Sequence, residues 1–218
     1  MNIDIISDTI CPWCFIGKRR LERALSLAPQ AGLTVAWHPF QLNPDMPQGG
    51  MERREYLRKK FGDERGSGAY EAIAEAGAGE GIEFDFAGIK RTPNTLASHR
   101  LVRYAGEQDL QHQVVEALFQ AYFTDGRDIG DGLTLLEVGA SAGLERGALA
   151  DYMASEQGLK EVLAEDENAR RIGVQGVPCF ILERKYVVSG AQSPDIFLQV
   201  FEMIERDKSG SVALEETS

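Results

Sequence analysis

NIDIISDTICPWCFIGKRRLERALSLA, residues 2–28, is the stretch that decides the fold. Asn2 to Ser7 is a short isoleucine-rich run with the composition of a strand, and Asp8-Thr9-Ile10 leads out of it. A helix follows at once. Pro12 suits its first position, where the N–H that proline lacks would have no partner anyway. Cys14, Gly17, Leu21, Ala24, Leu25 and Ala28 then recur at helical spacing along one face. Lys18, Arg19, Arg20 and Arg23 are assigned to the remaining, polar surface. Pro29 to Gly32 ends the helix, and Leu33 to Phe40 (LTVAWHPF) is expected as a second strand closing at Pro39 and the Asn43-Pro44 turn.

Cys11 and Cys14 sit at the junction of strand and helix. A thiol attacks as its thiolate, and the free N–H groups and positive dipole end of a helix stabilise that anion. Cys11 is therefore expected as an accessible attacking thiol, with Cys14 one turn down on the apolar stripe as its shielded resolving partner. Half of a zinc site is the competing reading of Cys-x-x-Cys. Zinc prefers four ligands, and the sequence offers neither a second Cys-x-x-Cys nor a His-x-x-x-His. A redox pair is preferred and no metal site is expected. The third cysteine, Cys179, is read first as a small buried hydrophobe on a core strand, and second as a thiol able to exchange with the pair.

Outward from this segment, residues 45–157 read as helical. Arg53 to Phe61 and Tyr70 to Ala76 are helix-like on either side of a glycine-rich break at Gly62 to Gly68, and Ile82 to Phe86 is expected to be extended. Thr92-Pro93 has the form of an N-cap and first helical residue ahead of Ala97, Leu101, Tyr104 and Ala105. Leu110, Val114, Ala117, Leu118, Ala121 and Tyr122 give the cleanest helical periodicity, and two shorter helices are expected near 134–142 and 145–156. The C-terminal part opens with a helix from Leu159 to Ile172 closed by Gly173. Gly176-Val177-Pro178 then leads into a strand-like run, Cys179 to Leu182, and a second strand from Tyr186 to Ser189. Ser193 and Pro194 start a last helix carrying Phe197, Val200, Phe201 and Ile204, with a polar, frayed end from Asp207. The order β-α-β, helical block, α-β-β-α is that of a helical block inserted into one sheet domain, with 1–44 and 158–218 forming the sheet domain and 45–157 the insertion.

Composition narrows the function. The 218 residues are 43% hydrophobic and 26% charged, ordinary for a globular protein. Against 34 Asp and Glu stand 23 Lys and Arg, a net charge of −11 that repels phosphate backbones and anionic lipid. No nucleic-acid or membrane partner is expected. The first ten residues carry two aspartates and no basic side chain, unlike a signal peptide, so a cytoplasmic location is expected.

The sequence resembles the DsbA-type branch of the thioredoxin superfamily, and most closely its FrnE-like cytosolic members. The resemblance lies in Ser7-Asp8, Cys11-Pro12-Trp13-Cys14, Ile16-Gly17-Lys18, Pro39-Phe40-Gln41-Leu42-Asn43-Pro44, Ser98-His99-Arg100-Leu101, Gly176-Val177-Pro178 and Ser189-Gly190-Ala191-Gln192. It implies an α/β thioredoxin-like fold with an inserted all-α helical domain, and dithiol–disulfide chemistry. It further implies Cys11 as nucleophile, Cys14 as resolving thiol and Pro178 as a cis-proline beside them. Pro12, Trp13 and Val177 would then border the substrate groove. Trp13 stands where strongly oxidising DsbA proteins carry histidine, which places the couple nearer thioredoxin in potential.

The leading functional expectation is a cytosolic thiol–disulfide oxidoreductase acting on a protein, peptide or small-molecule disulfide. It holds no covalently bound cofactor, and glutathione is a candidate redox partner. The alternative is a glutathione-dependent isomerase or transferase similar to 2-hydroxychromene-2-carboxylate isomerase and the kappa-class transferases, whose active position usually bears serine. A non-enzymatic binding or holdase protein ranks third, because it has no use for two cysteines so placed. His38 is more simply a solvated strand residue than a chemical one, His99 and Arg100 are expected to bridge the two domains, and His112 is expected to be exposed.

Overall fold

β1 (Asn2–Ser7) runs through the interior of a four-stranded sheet. It pairs in parallel with β2 (Thr34–Pro39) on one side and antiparallel with β5 (Cys179–Leu182) on the other. β6 (Tyr186–Ser189) pairs antiparallel with β5, giving the order β2-β1-β5-β6. The parallel β1–β2 pair requires a crossover, and α1 (Pro12–Leu27) supplies it. A computed structural model describes residues 1–62 and 68–215.

Strand alternation sorts the core. Ile3 and Ile5 pack with Leu21 and Ala24 of α1 and with Phe197, Phe201 and Ile204 of α9 (Pro194–Glu215). Ile6 points the other way, into a small cluster with Phe40, Cys179 and Ala169 of α8 (Leu159–Arg171). The sheet thus lies between α1 and α9 on one face and α8 on the other, the expected α/β architecture.

Between β2 and α8 the chain forms the helical insertion: α2 (Arg53–Phe61), α3 (Ala69–Ala78), α4 (Leu96–Gly106), α5 (Gln111–Phe123), α6 (Gly132–Ser141) and α7 (Arg146–Ala154). Two-residue strands β3 (Met51–Glu52) and β4 (Arg91–Thr92) pair antiparallel within it, a feature the sequence pattern did not reveal. Its core is continuous with that of the sheet. Phe15 of α1 stacks on Phe119 of α5 at 5.1 Å and meets Phe84 edge-on at 6.2 Å. One side chain covers the outer edge of β2 at Trp37. Gln111 at the start of α5 accepts from Trp37 N–H at 2.8 Å and donates to Trp37 C=O at 3.1 Å, taking the place of a neighbouring strand.

Three expectations are corrected. Lys18, assigned to the polar surface of α1, is 2% exposed because Glu22 and Glu116 of α5 enclose its ammonium. Thr92-Pro93 does not start a helix. Thr92 belongs to β4, its hydroxyl accepts from Arg53, and α4 begins at Leu96, whose N–H bonds the Asn94 side chain. The Ile82 to Phe86 segment lies against the end of α5, where Asp85 N–H bonds Phe123 C=O. The last helix does not fray at Asp207. It continues to Glu215, with Asp207 bound to Lys185 and Tyr186, and Lys208 to Glu183 at 2.9 Å, so the β5–β6 turn holds it. In the glycine-rich break, 63–67 lie outside the described residues.

Candidate active site

Four residues, Ser7-Asp8-Thr9-Ile10, carry the chain from the end of β1 to the start of α1, and all are buried. Cys11 is the N-cap of α1, extended at φ −92° and ψ 111°, and Pro12 occupies the first turn. Cys11 N–H donates to Asp8 C=O and Cys14 N–H to Cys11 C=O, both at 3.0 Å. The cysteine side chain makes no capping hydrogen bond, so the sulfur is left for other partners at the positive end of the helix.

The lead-in loop is pinned from outside the sheet. Asp8 Oδ2 accepts from Leu42 N–H at 2.7 Å, and Asp8 Oδ1 lies 3.3 Å from His99 Nε2 of α4, with both residues buried. Thr9 and Ser98 hydroxyls are 2.7 Å apart. Ser98 donates to Thr95 C=O at 2.8 Å, which leaves Thr9 as the donor between the two. His99 therefore bridges sheet and insertion as expected. Arg100 does not: its guanidinium binds the carbonyls of Tyr152 in the last turn of α7 and of Ser155 and Gln157 just after it, entirely within residues 45–157.

Cys11 Sγ lies 3.5 Å from the carbonyl oxygen of Val177, and the Val177–Pro178 peptide is cis. The close approach depends on Gly17. A Cβ there would stand 3.0 Å from Pro178 Cγ and 3.1 Å from Phe180 Cζ, so only glycine lets α1 lie this near the proline. The six residues singled out from the sequence are thus gathered at one end of the sheet. Pro12 and Val177 are half-buried, Pro178 is buried, and Trp13 is the exposed member at 37%.

One expectation about them changes. Cys11 is only 4% exposed against 1% for Cys14, so the thiol expected to be accessible is buried, with the Val177 carbonyl beside its sulfur. All three cysteines are free thiols. Burial, followed by the neighbouring Cys11, pushes the Cys14 thiol well above its ordinary range, while contacts with the Ser7 side chain and Asp8 backbone pull the other way. Burial also raises Cys179, which sits in the apolar cluster on the α8 face of the sheet rather than with the pair.

The basic residues of α1 are all engaged away from the sulfurs. Lys18 binds Glu22 at 2.5 Å and Glu116 at 2.6 Å, Arg19 binds Glu116 and Glu22, and Arg20 binds Glu80 at 2.9 Å and the Ala191 carbonyl. Burial works against ionising Glu22, but hydrogen bonds from His112, Lys18 and Arg19 outweigh it and hold the carboxyl at about 2. His38 is more than a solvated strand residue. It bonds Asp4 at 2.9 Å and faces Glu165 at 3.5 Å, and Glu165, then Asp4, raise it above the usual histidine range despite burial. Among the described residues no group of three or more His, Cys, Asp or Glu is placed to hold a metal ion, and no helix is long and apolar enough to cross a membrane.

Ser7, Asp8, Gly17, Ser98 and His99 thus support the site, although no spacing in the sequence assigned them that task. Their only signal was membership of the stretches that carry the family resemblance.

Comparison with known proteins agrees with this fold. A crystal structure of a probable DsbA oxidoreductase from Streptomyces coelicolor superposes with a TM-score of 0.83, at 31% identity over 92% of this chain and 88% of that one. The fold is also that of the cytosolic disulfide reductase DsbM from Pseudomonas aeruginosa, solved with GSH. That match has a TM-score of 0.65 at 23% identity, over 94% of this chain and all of that one (100%). The uncharacterized protein YwbO of Bacillus subtilis is 26% identical over 204 residues, covering 90% of this chain and 94% of YwbO. Residues 2–202 match the model of the DSBA-like thioredoxin domain, and the chain belongs to that family.

Proposed function

We propose that this protein is a thiol–disulfide oxidoreductase of the FrnE-like branch, working in the cytoplasm through Cys11 and Cys14 on a protein, peptide or small-molecule disulfide. One observation carries the reading: Cys11 caps a helix with its sulfur against the Val177 carbonyl, and the Cys14 thiol touches it from one turn below. In the proposed cycle the Cys11 thiolate attacks R–S–S–R′, forming Cys11–S–S–R and releasing R′S⁻. Cys14 then loses its proton and attacks the Cys11 sulfur, which forms the Cys11–Cys14 disulfide and releases RS⁻. Two electrons from a thiol donor regenerate the dithiol, and glutathione is the donor proposed; DsbM, a protein of the same fold, was solved with GSH. Residues 1–44 and 158–218 carry the chemistry, and 45–157 shape the approach to it.

Reference couples in the superfamily run from about −270 mV in thioredoxin to about −120 mV in DsbA, the latter with a strongly stabilised reduced form. Trp13 brings no cation to Cys11, and Lys18, Arg19 and Arg20 are neutralised by glutamates. The couple is placed nearer thioredoxin, as a reductant or exchange catalyst. Reduction of a peptide disulfide by glutathione tests the function. Cys11→Ser should fall to background, and Cys14→Ser should accumulate a mixed disulfide visible by intact mass. Full activity in Cys11→Ser would end the redox reading. If that variant instead kept activity toward an electrophile with glutathione, the isomerase or transferase reading would replace it.

A further inference from the structure

Cys14 closes the proposed cycle, and to do so its thiol must lose a proton from a place that is 1% exposed. Burial, the largest influence on this group, holds it well above the ordinary thiol range, so the proton needs a carrier. Polar neighbours of the sulfur include the Cys11 thiol, the Ser7 hydroxyl and the backbone of Asp8. In the resolving step Cys11 is tied up in the mixed disulfide, and the N–H of Asp8 donates but cannot accept. A hydroxyl does both. Ser7 ends β1, where its carbonyl accepts from Phe40 N–H at 2.9 Å. It also lines a cavity of about 260 Å³ beside β2, a lining that includes none of Asp8, Cys11 and Cys14. The cavity reaches the surface at Gly106 and Glu107, both exposed. Its size admits several waters, and Thr9, His38, His99 and Glu165 on its lining give them polar partners.

We propose that Ser7 is a catalytic residue of the resolving step, handing the Cys14 proton to water in this cavity. The inference rests on the dithiol reading above and goes beyond it by giving one proton its path. As Cys14 attacks Cys11–S–S–R, its S–H proton passes to Ser7 Oγ, and in concert the Ser7 hydroxyl proton passes to a cavity water. The Cys14–Cys11 bond forms, the bond from Cys11 to the substrate sulfur breaks, and RS⁻ leaves with the electron pair to take a proton from solvent. Ser7 ends the step as it began it. Thr9, the other hydroxyl of the lead-in loop on the cavity wall, is already committed to Ser98. The first attack in the cycle does not use this route, because the Cys11 sulfur lies against the Val177 carbonyl.

A symmetric aryl disulfide with a coloured leaving thiolate separates the two steps. Attack by Cys11 releases one coloured thiolate, and attack by Cys14 releases the second. Both releases are followed by stopped flow in the reduced protein, with Cys179→Ala as the common background. Ser7→Ala should leave the first release within about twofold and slow the second at least about tenfold, less than full acid–base catalysis because water partly replaces the hydroxyl. Ser7→Thr, which keeps the hydroxyl, should recover most of the second rate. Val102→Phe, which fills space on the cavity wall, should slow the second release alone. A second release at the parent rate in Ser7→Ala overturns the proposal. Equal slowing of both releases overturns it too, since Ser7 would then only hold the loop. If Ser7→Ala does not fold, Val102→Phe decides by the same comparison. Absence of the first release in the parent protein would overturn the dithiol reading itself, and the proton path with it.

Discussion

Two ends of one helix are built on opposite principles. The first turn of α1 carries two thiols, a proline and an indole, with no charged side chain among them. The next turns carry Lys18, Arg19, Arg20 and Arg23, each in an ion pair with Glu22, Glu116 or Glu80. Charge that could have stabilised a thiolate is placed lower, where it ties α1 to α5 and to the segment after α3. The N-terminal turn is left to act through backbone dipoles, and the middle of the helix does the anchoring.

The sharpest test of the contrast lies within the first turn. Burial raises Cys14 and Cys179, so alkylation near neutral pH should modify Cys11 at least about tenfold faster than either, as read by peptide mass spectrometry. Equal rates would mean that the burial of Cys11 outweighs the difference in thiolate supply.

The anchoring turns are tested by removing a partner. Glu116→Ala leaves Lys18 buried with only Glu22, and should cost about 2 kcal/mol, or about 4–8 °C in Tm. Lys18→Met, which removes the buried charge itself, should cost less. If the two variants melted alike, the pair would not be what holds the helix.

Gly17 lies between the two regions. Gly17→Ala should cost about 1–2 kcal/mol, because Pro178 and Phe180 must give way. Disulfide exchange should slow several-fold in the same variant, measured under conditions where it remains folded.

A smaller effect appears on the acid side. The Glu22 carboxyl titrates at about 2 in the folded protein, against an ordinary 4.5, and Glu116 is lowered by the same cations. A depressed carboxylate adds stability above its unfolded value and loses it as pH falls through the folded one. Stability should therefore decline from about pH 4.5 toward pH 2, with a shallower slope in Lys18→Met. Identical slopes from chemical denaturation across that range would separate the depression from Lys18.

The first turn was legible in the sequence because its chemistry is local. Proline at a helix start, cysteines three residues apart and an isoleucine-rich strand before them are all neighbours in the chain. The anchoring turns were not. Lys18 looked solvated because Glu116, the group that buries it, lies 98 residues away. Thr92 looked like a cap because its strand partner Met51 was invisible to periodicity. Asp207 looked like the start of a frayed end because Lys185 and Tyr186 come from a turn whose position only the fold supplies.

Gln111 on the edge of β2 has a consequence for modularity. A thioredoxin-like sheet with a helical insertion looks like two parts, one of which might be cut away to leave a smaller working enzyme. Here the cut would uncover the Trp37 backbone, strip Phe15 of its stacking partners and leave Lys18 without Glu116. An uncovered edge strand is a template for pairing with a second chain. The shortened protein would be sticky before it was inactive, so the insertion is a dependency of the sheet and not an accessory to it.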